Sequence, residues 1–267
     1  MDAVGVAVAQ FAPGDNVDAN LAAIRDLATL AVSRGASIVV FPEYSSSFTP
    51  ALGAHSVAAA QPLDGHFVAG VAAIAKVLGV HVVAGMLETT SDPSRLSNTL
   101  VALDPHGALV AIYRKLHLYD AFGQKESDWV IAGALDEPQT FRVGGLTVGL
   151  QTCYDIRFPE VTRRLVDAGA ELVLLPSEWV RGPLKEQHWR TLVTARAIEN
   201  TIYIAAADHA PPIGAGNSMI VDPMGIELAT VGDSTDVAVA WASASRLSEV
   251  RAVNPALGLR RFGIHSL

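Results

Sequence analysis

Cysteine is nearly absent: the chain of 267 residues holds one, Cys153. A single thiol excludes a disulfide within the chain and any zinc site built from paired CxxC motifs. It fits a reducing compartment, so a cytoplasmic protein is expected. Charge is scarce too. Only 17% of residues are charged, with 19 basic against 27 acidic, for a net charge of −8. No run of Lys or Arg supplies the basic footprint that phosphate backbones require, so no nucleic-acid partner is expected. Long hydrophobic runs are also missing. Nothing approaches the roughly 18 uncharged apolar residues of a membrane-spanning helix, and no membrane association is expected. The opening segment, MDAVGVAVAQ, lacks the basic region and cleavage site of a signal peptide and reads as a first strand.

What remains is apolar. Half the residues are hydrophobic, which excludes a disordered chain. The length suffices to bury a core without covalent staples.

That core is written twice. In the first half, Val4–Gln10 is an apolar run of strand length. Val17–Arg34 follows with helical spacing of its apolar positions, 17, 21, 24, 28 and 31. Gly35–Glu43 is a buried strand ending in Pro and an acid. Gly65–Leu78 is a second helix, and Val80–Leu87 a third strand. Asn98–Leu103 and Ala108–Arg114 then flank the turn Asp104-Pro105-His106-Gly107. The second half repeats the order: strand Leu146–Thr152, helix Pro159–Ala168, and Gly169–Glu178 echoing Gly35–Glu43. Helix Lys185–Asn200 and strand Thr201–Ala207 come next. Ser218–Val221 and Ile226–Thr230 flank the turn Asp222-Pro223-Met224-Gly225. No linker rich in Pro, Gly and Ser separates the halves, so one domain over 1–267 is expected. Near-continuous apolar strands predict sheets covered on both faces. Two such sheets give an α/β fold of four layers, α-β-β-α, with pseudo-twofold symmetry.

Three segments place a reactive group just after a strand, a common position for sites in α/β folds. They are Glu43 in VVFPEYSS, Lys115 in AIYRKLHLYD and Cys153 in VGLQTCYDIRFPE. Alone, each has a bland reading: a buried core thiol, a loop acid, a solvated lysine. Together they form an apparatus. A thiol is a strong nucleophile once its proton is removed, and a neighbouring carboxylate can take that proton. The carboxylate can later protonate a leaving amine and activate water. An ammonium beside the reacting carbon stabilises the tetrahedral oxyanion. It is also expected to favour the thiolate and the ionised Glu43. No His/Asp cluster has metal-ligand spacing and no Gly-rich phosphate loop follows a strand, so neither metal nor cofactor is expected. Metal-dependent phosphoesterases on a similar sandwich would need such a cluster.

FPEYS, YRKLHLYD and CYDIRFPE resemble, in this order, the glutamate, lysine and cysteine motifs of the nitrilase superfamily of carbon–nitrogen hydrolases. CYDIRFPE is similar to the Nit and omega-amidase-like branch. The likeness runs from Val4 to about Arg260. It implies the four-layer sandwich, with Cys153 as nucleophile, Glu43 as general base and Lys115 as oxyanion stabiliser. It implies a second glutamate, Glu126, that positions substrate and lysine, and the Tyr154 N–H as second oxyanion donor. It also implies a homodimer or higher homo-oligomer.

The expected reaction is therefore hydrolysis of a small amide by way of a Cys153 thioester. Nitrile hydrolysis or acyl transfer to an amine are alternatives with the same trio, and a non-catalytic interaction protein is a further one. The motif wording and the short chain favour an amide. Trp179, Val180, Arg181 and the 119–130 loop, including Tyr119, are expected to shape the pocket, with Arg181 a candidate for a substrate carboxylate. After the nucleophile, Arg157 and Glu160 are expected to form a local ion pair. His117 is expected to orient its loop, and His188, Trp189, Arg196, Glu199 and Asn200 to pack and cap their helix.

Overall fold

The computed structural model describes residues 3–265. In chain order its elements are β1 (Ala3–Gln10), α1 (Val17–Ser33), β2 (Ile38–Val40), α2 (Ala54–Ala59), α3 (His66–Leu78), β3 (His81–Thr89), β4 (Leu96–Leu103) and β5 (Leu109–Arg114). After these come β6 (Thr140–Val143), β7 (Leu146–Leu150), α4 (Pro159–Asp167), β8 (Leu172–Pro176), α5 (Lys185–Asn200), β9 (Tyr203–Ala207), β10 (Met219–Val221), β11 (Glu227–Thr230), β12 (Asp236–Ser243) and α6 (Ala244–Val253).

The strands form two six-stranded sheets, ordered β12-β1-β2-β3-β4-β5 and β11-β10-β9-β8-β7-β6. In each, three central strands run parallel and the outer pairings are antiparallel. Strand alternation divides the core. Val6, Val8, Ile38 and Val40 point at the other sheet, where Val148, Leu150, Leu172 and Leu174 meet them. The intervening Ala7, Ala9 and Val39 face outward onto Ile24 and Leu27 of α1 and Phe67 and Val71 of α3. On the second sheet, Val173, Leu175 and Ile204 face Leu165 of α4 and Trp189 and Val193 of α5. These are four layers, α-β-β-α, each sheet buried on both faces.

The two turns repeat in atomic detail. Asp104 Oδ1 accepts from the N–H groups of His106 and Ala108, both at 2.8 Å. Asp222 Oδ1 accepts from Met224 at 2.8 Å and Ile226 at 2.9 Å. Gly107 and Gly225 close the turns at φ +80° and +82°, a conformation glycine adopts without steric cost.

Two strands lie outside the expected pattern. β6 hairpins onto β7, and β12 pairs with β1 from Ala3↔Ser243 to Gln10↔Asp236. They occupy equivalent edges, so the doubled unit has six strands. One unit is continuous, β6 to β11, while the other draws its edge strand from the far end of the sequence.

Candidate active site

The ends of β2, β5, β7 and β8 bring the reactive groups together. Glu43 and Tyr44 follow β2, and Tyr44 has φ +56°. Cys153 opens a 3-10 turn, Cys153–Arg157, after β7 with φ +42°. Positive φ is uncommon for residues other than glycine, and such strain concentrates where side chains must be aimed. Gly85 of β3 makes room for the first loop. A Cβ there would stand 2.6 Å from the Glu43 Cα.

Lys115 follows β5, tied by its N–H to the Asn98 carbonyl at 2.9 Å. Its Nζ is 2.9 Å from Glu43 Oε1 and 2.9 Å from Glu126 Oε2. Asn98, on β4, bridges the same two acids, donating to Glu43 Oε1 at 2.6 Å and Glu126 Oε1 at 3.1 Å. Glu126 also accepts from Tyr44 Oη and the Tyr119 N–H, both at 2.6 Å. Glu43 Oε2 accepts from the Glu178 N–H at 2.7 Å. The Glu43 carbonyl is held by the His209 ring at 2.6 Å, whose pKa burial pushes down to about 4. The Cys153 thiol donates to the Glu178 carbonyl at 3.5 Å.

Two carboxylates share one buried ammonium, and their environments push them apart. Burial raises both, but Lys115, Tyr44 and the Tyr119 N–H more than offset this for Glu126, which titrates below the ordinary range. For Glu43 burial prevails over Lys115, helped by the nearby Glu126, and its pKa is raised. Burial alone would lower Lys115, but Glu126 and Glu43 hold it well above its ordinary value. A permanently ionised acid beside one poised to gain and lose a proton is the pattern of a positioning group and an acid–base group. Burial and Glu43 push the Cys153 thiol well up, against the pull of Lys115. Lys115 pulls both the thiol and Glu43 toward their ionised forms, as expected, but burial outweighs that pull, so sulfur would lose its proton as it attacks.

Asp155 locks the elbow. Fully buried, it accepts from Tyr113 Oη at 2.7 Å, the His117 N–H at 2.9 Å and His117 Nδ1 at 2.8 Å. His117, stacked on Phe158, thereby ties the lysine loop to the cysteine turn. Arg157 does not take the expected partner Glu160. Its guanidinium lies over the Trp179 ring, 4.8 Å from the centroid. In α5, Trp189 donates to the Asn217 carbonyl at 3.0 Å and Arg196 to the Ile156 carbonyl at 3.0 Å, which are packing and tethering roles.

A cavity of about 260 Å³ opens onto this cluster, lined by Glu43, Lys115, Tyr119, Glu126, Cys153 and Tyr154, and also by Trp179, Val180 and Lys185. Arg181 does not join them; it pairs with Glu186 on the surface at 3.4 Å, its side chain half exposed. Beyond the cluster, two cations line the cavity: Lys125, which is exposed and paired with Asp128 at 2.7 Å, and Lys185, with Nζ 3.0 Å from Tyr119 Oη and over the Trp179 and Phe122 rings. Sequence reasoning missed Lys185, Asn98 and Glu178, of which Lys185 and Glu178 line the cavity. A lysine in the first turn of a helix opposes the helix dipole, and that oddity was a signal. Among the described residues, no group of three or more His, Cys, Asp or Glu is placed to hold a metal ion, and no helix is long and apolar enough to cross a membrane.

Fold and cluster define a hydrolase of the α-β-β-α sandwich type. The chain belongs to the carbon–nitrogen hydrolase family, whose model matches residues 5–252, and it is an amidase-type enzyme. It is similar to the deaminated glutathione amidase of Escherichia coli O157:H7, 39% identical over 263 residues, covering 96% of this chain and 97% of that protein. Among solved structures, the NitFhit protein of C. elegans matches with a TM-score of 0.87 at 28% identity. That match covers 98% of this chain, which spans 66% of the NitFhit chain. A mutant of the Nesterenkonia sp. AN1 amidase, showing covalent addition of the acetamide moiety of fluoroacetamide at its active site cysteine, matches with a TM-score of 0.78 at 26% identity. There the coverage is 96% of this chain and 97% of the other.

Proposed function

We propose that this chain, as one catalytic domain, hydrolyses a small carboxamide through a thioester on Cys153. The observation that carries the reading is the pair of carboxylates on one lysine at the mouth of the thiol. Sulfur attacks the amide carbon while Glu43 takes the thiol proton. The oxygen that becomes negative is held by Lys115 Nζ and the Tyr154 N–H; the first N–H groups of a helical turn have no partner within it. When the tetrahedral carbon collapses, the C–N bond breaks, and the proton on Glu43 goes to the departing nitrogen. Water then attacks the thioester, giving its proton to Glu43, and the acid leaves as the thiol is restored. Glu126, fixed in its ionised form, keeps Lys115 charged and aimed throughout. The covalent addition at the cysteine of the Nesterenkonia amidase supports a cysteine nucleophile.

The substrate we infer is an amide that carries a carboxylate. Lys185 supplies a buried positive charge in the cavity wall, in the role that Arg181 was expected to fill. The name of the E. coli relative, a deaminated glutathione amidase, points the same way. The enzyme acts in the cytoplasm as a homo-oligomer in this reading, and light scattering that returns a monomer mass would overturn that part.

The test is ammonia release from a panel of amides and nitriles, with and without a carboxylate. Release from carboxylate-bearing amides is expected, falling at least about 10³-fold in Cys153→Ala. Full activity in that variant, or hydrolysis confined to nitriles, would sink the reading.

A further inference from the structure

Glu178 touches the site three ways. Its N–H holds Glu43 Oε2 at 2.7 Å, its carbonyl receives the Cys153 thiol at 3.5 Å, and the residue is part of the cavity wall. The two backbone contacts place the residue beside the reacting sulfur. They do not explain its carboxyl. Oε1 is fully buried with no hydrogen-bond partner. A buried polar atom left unpaired is costly, and proteins satisfy the great majority of them. The charges of Glu43, Glu126, Lys115 and Lys185 act on the carboxyl, which in turn acts on Asp208, Tyr119 and the Cys153 thiol. Lys115 is committed to Glu43 and Glu126, and Lys185 to Tyr119.

A primary carboxamide bound for attack on its carbonyl has its oxygen directed at Lys115 and the Tyr154 N–H. Its nitrogen still carries two N–H donors, which need acceptors. We propose that the Glu178 carboxyl accepts one N–H of the scissile amide, so that it positions the substrate and selects amides over acyl compounds without that donor. The inference rests on the amidase reading above. A site built to pair a substrate N–H discriminates against an analogue lacking it, because its acceptor is then left alone. Near neutrality the carboxyl is largely protonated, burial and Glu43 having raised its pKa to about 8. It can therefore accept through its carbonyl oxygen without adding charge beside Glu43.

The experiment compares the primary amide and the methyl ester of the same carboxylic acid, the acid being chosen from the amides that the wild type hydrolyses. Both give the same acyl-enzyme, so their ratio of kcat/KM reports the N–H contact and cancels general damage to the site. Glu178→Leu removes the acceptor, and the amide-to-ester ratio is expected to fall by about ten- to a hundredfold, as for one buried partner left unpaired. Glu178→Gln keeps a carbonyl acceptor and is expected to hold the ratio within about threefold of wild type, whatever happens to the absolute rates. If Glu178→Leu fails to fold, Glu178→Ala repeats the comparison. A ratio unchanged in the Leu or Ala variant overturns the inference while leaving the amidase reading intact, as does an equal fall in the Gln variant. A wild-type chain that hydrolyses no amide overturns both.

Discussion

The exits of β2 and β8 are counterparts in the doubled fold, and each runs through a proline, Pro42 or Pro176, to a glutamate. The carboxyls fare differently. Glu43 is engaged at both oxygens by Lys115, Asn98 and the Glu178 N–H. Glu178, one residue further from its proline, has an oxygen with no partner. The difference lies in what the neighbouring strands bring. After the hairpin turn the first half ends β5 in Arg114 followed by Lys115, while the second ends β11 in Thr230 followed by Val231. Repeating a backbone thus repeats the position of an acid but not its counter-ion. A buried carboxyl without a dedicated counter-ion shifts toward its neutral form.

Removing the charge at the first exit gives the largest expected effect. Glu43→Gln should cut kcat by about 10²- to 10⁴-fold, the usual loss when an acid–base group goes. Stopped-flow or ammonia-release kinetics on the best amide would check it, and a loss below threefold would deny Glu43 its part. Displacing the same group without changing it should cost less. Gly85→Ala drives a Cβ to 2.6 Å from the Glu43 Cα, with the Tyr44 nitrogen 2.7 Å away. A kcat loss of about 10²-fold is expected from a shift of about 1 Å. Steady-state kinetics beside a thermal melt would separate displacement from unfolding, and an unchanged kcat would show that the loop yields freely.

The mildest effect concerns the second exit and is one of stability. An acid with a folded-state pKa raised from 4.5 to about 8 binds its proton more tightly when folded. That contribution is fully present below about pH 4.5 and is lost as pH rises to about 8. Glu178→Gln has no such proton to lose. Its Tm relative to wild type should therefore climb between about pH 5 and pH 8.5 and then level off, by an amount worth on the order of a few kcal/mol at most. A difference independent of pH would mean that Glu178 is ionised throughout.

Much of this was legible beforehand because it is local. The Asp-Pro-x-Gly turns, the strand exits ending in Pro and the apolar helix spacing are written in neighbouring residues, and they gave two sheets and four layers. The three motifs named a family because each keeps its reactive residue in a fixed local frame. What escaped depends on distant partners. Nothing near Asp236–Ser243 says that this strand joins β1 across more than 200 positions. Asn98 reads as one of three consecutive polar residues, Ser97 to Thr99, near the start of a strand until the fold sets it between two acids from other loops. Arg157 and Glu160 are neighbours in sequence, but the aromatic faces of Trp179, Tyr154 and Phe122 draw the guanidinium away.

The borrowed edge strand sets an order on biosynthesis. While the chain emerges from the ribosome, β1 through β5 are available early, yet the edge of β1 stays open until Asp236–Ser243 has been made. An open edge of alternating Val and Ala is a template for pairing with another chain. Nascent copies stalled before residue 236 would carry that template exposed, whereas the second sheet already owns both its edges by the end of β11. Premature termination after β11 but before residue 236 should therefore yield aggregates rather than a soluble half-enzyme, although every reactive residue of the site has by then been translated.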